Sequence, residues 1–144
     1  MGEGRPEFAK KAGYEANRLC LYVSLTLSLA LFVFAPQLTA MYTDDPEVLA
    51  VGIKAIRIFC CSQPFLSVVV VLSGALRGAG DITYVTLTSF VGIWGMRLLL
   101  TIVFYRWFSL GALSVWFAYG MDFLVRAAMY RHRFGRGKWM SIRI

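Results

Sequence analysis

From Leu19 to Met41 the chain carries no charged residue. Wound as a helix rising about 1.5 Å per residue, this stretch is roughly 34 Å long, enough to cross a hydrocarbon layer about 30 Å thick. It is too long for the apolar core of a signal peptide, about 7–15 residues, and is read as a retained span. The rest of the chain follows the same pattern. Of 144 residues, 58% are hydrophobic, and they come in long runs rather than scattered stripes. The predicted fold class is all-α: a polytopic transmembrane helical bundle with four spans at about 19–41, 48–76, 82–105 and 109–130. A basic arm, 1–18, precedes the spans and a basic tail, 131–144, follows them.

The connections are written in turn chemistry. Tyr42-Thr43-Asp44-Asp45-Pro46-Glu47 is an acidic hairpin in which Asp45 suits an N-cap, Pro46 the first helical turn and Glu47 the positive end of the helix dipole. The stretch Gln63 to Asp81, QPFLSVVVVLSGALRGAGD, carries the most specific punctuation. Pro64 interrupts the hydrogen-bond ladder in mid-span, beside the polar head of Gln63. Gly74 and Gly78 have the spacing of a close helix contact. Arg77, Gly78, Gly80 and Asp81 then form a conformational turn. Its glycines permit unusual dihedrals, Asp81 is placed to cap the third span, and Arg77 to anchor at headgroups or dock the turn. A phosphate cradle is disfavoured, since no P-loop lysine spacing follows.

Charge placement sets the topology. The formal net charge is +7. Arg5, Lys10, Lys11, Arg18, Arg77, Arg131, Arg133, Arg136, Lys138 and Arg143 all fall on one side of the four spans, and Arg106 alone falls in an outer turn, expected at Arg106 to Phe108. This places both termini in the cytoplasm of a cell-membrane protein, and it fits a bilayer partner rather than nucleic acid. Cys20, Cys60 and Cys61 lie in apolar runs without metal-ligand spacing, and His132 sits in the basic tail. No nucleophile–base pair, paired carboxylate or metal cluster is visible, so the chain is not read as an enzyme and no cofactor is expected.

The charges inside the spans are the candidates for function. Asp122 and Arg126 are one helical turn apart and form an expected intramembrane ion pair. Counting from span ends puts Arg97 about 12 Å below the outer face and Asp122 about 12 Å from the opposite face, which is too far apart in depth for a direct pair. Arg97 is therefore expected to reach backbone carbonyls, the interface or a cavity. Lys54 and Arg57 suit snorkelling to the outer interface or a polar vestibule there.

Taken together, the arm GRPEFAKKAG, the segment YTDDPEV, the run QPFLSVVVVLSGALRGAGD, the WGMR of the third span and the closing RF-x-x-GKW (Arg133, Phe134, Lys138, Trp139) resemble the C-terminal part of the multidrug and toxic compound extrusion (MATE) transporters. The resemblance extends over nearly the whole chain, and SGALRGAGD (Ser73 to Asp81) is its most specific piece. It implies antiport of cationic amphipathic drugs against Na+ or H+, with twelve helices in two six-helix lobes. Against that pattern the chain corresponds to the last four helices. The resemblance implies that the first lobe and two further helices are missing partners and that Met1 is an internal start, and the piece alone is expected to be inactive. Substrate-cavity candidates are Gln63, Pro64, Trp94 and Arg97. Some family branches carry an acidic residue where this chain has Leu66 and Ser67, which removes one ion site. Two other readings stay open. One is a self-contained four-span dimeric small multidrug exporter, although Leu19 to Met41 lacks the glutamate it needs. The other is a non-transporting membrane assembly partner. The LRGAGD turn disfavours a lipid-linked sugar flippase.

Overall fold

The structure, a computed structural model, describes residues 6–141. Arg5 and Arg143, counted above among the inner charges, and the side chain of Lys138 lie outside the described residues. Four long helices fill the rest: α1 (Pro6–Ala40), α2 (Pro46–Gly78), α3 (Ile82–Trp107) and α4 (Leu113–Gly135). A short 3-10 turn, Lys138–Ser141, follows α4. The second and fourth helices form the middle of the bundle. α1 lies along α2 and α3 chiefly along α4, so the order across the bundle is α1, α2, α4, α3.

Nothing between Pro6 and Arg18 breaks a helix, so the arm continues straight into the first apolar run as one element. α2 starts where its cap predicts: Asp45 Oδ1 accepts from the Glu47 amide at 2.9 Å and Pro46 takes the first helical position. The third helix is not uniform. α-helical segments Ile82–Phe90 and Leu98–Trp107 are joined by a π-helical segment, Val91–Arg97. It runs on to Trp107, and the turn expected at Arg106 to Phe108 lies later, with Ser109 and Gly111 at positive φ.

Among the described residues three helices, α1 from Glu7, α2 and α3, are long and apolar enough to cross a membrane. The flanking pair leave most of their apolar residues exposed, among them Leu25, Leu29, Phe34, Leu87, Leu99 and Ile102. Hydrocarbon around them accounts for such surfaces, which in water would be an association liability. α4, the fourth expected span, is not among the three. Its apolar content is diluted by Asp122 and Arg126, and both are covered by neighbouring helices.

The buried hydrophobic cluster lies at the end of the bundle that charge placement predicts to be the inner one, where α2 ends, α3 begins and α4 ends. Leu72, Leu76, Val85, Tyr130, Phe134 and Trp139 are all buried there in one cluster. Trp139 stacks on Phe134 at 4.9 Å and donates its indole N–H to the Phe134 carbonyl, while Tyr14 of α1 meets the same ring edge-on. The RF-x-x-GKW signature thus folds back as a plug beneath the bundle.

The turn after α2 corrects three expectations. The Gly80 φ of 87° is the left-handed dihedral the turn needs, whereas Gly78 is the last helical residue and has no positive φ. A Cβ on Gly74 or Gly78 would meet nothing within 4 Å, so the Gly-x-x-x-Gly spacing makes no close helix contact among the described residues. Asp81 makes no side-chain cap to α3. Its Oδ2 accepts instead from Arg133 Nε of α4 at 2.8 Å, because a long-range charged donor is a stronger partner than the local amides. That hydrogen bond pushes the Arg133 guanidinium further above its ordinary value.

Candidate functional site

α4 presents Tyr119, Asp122, Phe123 and Arg126 at helical spacing, and this face meets the π-helical segment of α3. Asp122 is fully buried. Its Oδ2 accepts from Arg126 of its own helix at 2.6 Å and from Arg97 of α3, also at 2.6 Å. The Arg97 guanidinium lies 3.8 Å from the Tyr119 ring centroid and 5.7 Å from that of Phe123. Arg126 lies 5.4 Å from Phe123. One carboxylate is thus shared by two cations in an aromatic frame.

This corrects the depth count, which kept Arg97 and Asp122 apart. α3 extends to Trp107 and α4 begins only at Leu113. Both charges then sit about nine or ten residues from the same outer turn, some 14–15 Å along their helices. The close approach depends on Gly92. A Cβ there would lie 2.7 Å from Asp122 Oδ1 and 2.7 Å from Arg126 Cδ. The π-helical widening between Gly92 and Arg97 sets the direction in which Arg97 leaves α3. Sequence reasoning missed Tyr119, Phe123 and Gly92; the available signal was the i, i+3, i+4, i+7 spacing of Tyr119, Asp122, Phe123 and Arg126.

The cluster is not fully satisfied. Among the described residues Asp122 Oδ1, Arg97 Nε and Arg126 Nε are buried without a hydrogen-bond partner. Two guanidiniums against one carboxylate leave one formal positive charge in excess, costly at membrane depth. The two arginines are unequally held. The Arg126 side chain is 8% exposed and that of Arg97 18%.

The other sequence candidates do not gather here. Gln63 lines a groove of about 420 Å³ between α1 and α2, with Cys20, Ser24, Ser28 and Ser67. Pro64 faces another groove of the same seam, beside Phe32 and Cys61. Trp94 stands exposed on α3 against Phe90. Arg77 is exposed at the inner end, next to the buried Asp81. Arg57 lies 5.1 Å from the Phe32 ring centroid. No group of three or more His, Cys, Asp or Glu side chains placed to hold a metal ion occurs among the described residues.

Comparison with known proteins bears on what such a bundle does. A family model described as MatE matches residues 1–103. The "Probable multidrug resistance protein NorM" of Thermotoga maritima is 30% identical over 121 residues, covering 84% of this chain and 26% of that protein. The "Probable multidrug resistance protein YpnP" of Bacillus subtilis is 30% identical over 114 residues, 78% of this chain and 25% of its own length. A NorM of Bacillus subtilis is 31% identical over 115 residues, 80% and 25% respectively. The chain therefore spans about a quarter of the length of these curated relatives. No solved structure matches it. The family model covers well over half of the chain, and the relatives repeat the same match: the protein belongs to the MatE family, whose members are membrane transporters and not enzymes.

Proposed function

We propose that the chain supplies part of a multidrug efflux transporter that exchanges Na+ or H+ for cationic amphipathic drugs by alternating access. The relatives' printed names support drug resistance, and their length supports a larger machine of which these four helices form about a quarter. The observation that carries the reading is Asp122, a carboxylate with no exposed surface that bridges two helices of the bundle. Antiport requires ligands to compete for charge inside the membrane, and buried ionic groups are retained there at a cost in stability.

In this reading α4 is the fourth span and both termini face the cytoplasm, where Lys10, Lys11, Arg77, Arg131 and Arg136 gather. Gln63, Pro64, Trp94 and Arg97 contribute to a cavity completed by helices of the larger transporter, and the Arg77 to Asp81 turn moves as a unit with the inner core. Alternating access needs two lobes that rock against each other, and four helices by themselves do not make both, so in this reading these residues alone give no antiport. The test is dye efflux from cells expressing this chain alone, beside cells expressing it joined to the remaining helices of a relative. Ion-dependent efflux is expected from the joined protein only. Efflux from the lone chain, or none from a joined protein that reaches the membrane, contradicts the proposal.

A further inference from the structure

Everything needed to hold a planar organic cation lies on α4. Asp122 supplies a buried carboxylate, Tyr119 and Phe123 supply ring faces, and Arg126 keeps the carboxylate ionically paired from its own helix. What fills the place is a guanidinium from a different helix, that of Arg97, bonded to Asp122 Oδ2 and lying against the Tyr119 ring. Both arginines leave Nε unpartnered, and Arg97 is the less covered of the two, its side chain 18% exposed against 8% for Arg126.

We infer that Arg97 is a tethered plug in a site for guanidinium- or amidinium-type cations formed by Asp122, Tyr119 and Phe123. The identification of the ligand as an exported one rests on the efflux reading above; the site itself does not. Replacement of Arg97 by such a ligand conserves the local charge, since one monovalent cation leaves the carboxylate as another arrives. Planar cations are favoured because the place is shaped by a flat fork that meets the carboxylate through N–H donors and a ring through its face.

The π-helical segment supplies the means of withdrawal. It holds one wide turn over Val91–Arg97, with glycine at 92 and 95. Return to ordinary α-helix winding shifts the register by one residue, about 100° around the axis, and carries Arg97 off the α4 face. Gly92 lets the plugged arrangement close, because any side chain there strikes Asp122 and Arg126.

The test is calorimetric titration of the full chain, purified in detergent micelles, with benzamidinium and with its neutral analogue benzamide. Wild type is expected to bind benzamidinium weakly. Arg97→Ala is expected to bind it about tenfold tighter, since the intramolecular competitor is gone. Asp122→Asn added to Arg97→Ala is expected to abolish the gain, and benzamide is expected to show none. Equal benzamidinium affinity in wild type and Arg97→Ala, a gain that survives Asp122→Asn, or an equal gain for benzamide overturns the inference. Should Arg97→Ala lose its helical signal, Arg97→Lys keeps the charge without the planar fork. It is expected to bind about threefold tighter than wild type, and no gain there overturns the inference too. Titration needs no transport. Asp122-dependent binding without efflux from the joined transporter leaves the site and removes the export role; efflux without such binding does the reverse.

Discussion

Two acid–arginine contacts tie α4 to its neighbours, and they sit in opposite surroundings. At the inner end Asp81 takes one hydrogen bond from Arg133, whose side chain is 25% exposed, beside a close-packed cluster of Leu76, Tyr130, Phe134 and Trp139. Deeper in the bundle Asp122, without exposed surface, serves two arginines and leaves three polar atoms of the group unpartnered. The same chemistry does different things in the two places. Near water an ion pair is a modest clamp whose partners can be solvated when it opens. Inside a bilayer each charge depends on the other, so a change of partner has to be an exchange of one cation for another.

That contrast is broken most severely at Asp122. Asp122→Ala strands two guanidiniums between α3 and α4 and is expected to cost about 3–5 kcal/mol in detergent unfolding, with the α3–α4 seam opening first to protease. Next comes Gly92→Ala. The added methyl falls on Asp122 Oδ1 and Arg126 Cδ, and a loss of about 1–3 kcal/mol is expected in the same unfolding measurement. At the inner end Asp81→Asn is expected to cost about 1 kcal/mol or less, since Arg133 can turn to solvent. The smallest effect sharpens the reading of the turn. Gly78→Ala, into open space at the end of α2, is expected to stay within about 0.5 kcal/mol of wild type by thermal denaturation. Gly80→Ala, at a φ of 87°, is expected to lose about 1–2 kcal/mol.

Local signals carried much of the architecture. A charge-free run, an Asp-Pro-Glu cap and a Gly-Ala-Gly stop each act within a few residues, so α1, the start of α2 and the place of the turn after it, though not that turn's contacts, could be read directly. The site could not. The Asp122–Arg126 pair has an i, i+4 spacing, but its partner Arg97 is fixed by where the outer turn falls and by a π-helical segment with no periodic signature. An error of a few residues at the ends of α3 and α4 was enough to put Arg97 and Asp122 at different depths. Asp81 shows the same limit. The local rule offered it the start of α3, and a partner 52 residues away took it instead.

The claim that most needs testing is that α3 and α4 are joined through Arg97 and Asp122. A double-mutant cycle of Arg97→Ala and Asp122→Ala, followed by reversible unfolding in mixed micelles, tests it directly. A coupling energy of at least about 1 kcal/mol between the two substitutions is predicted. Additivity within about 0.3–0.5 kcal/mol would mean that the two side chains do not meet, and would contradict the account.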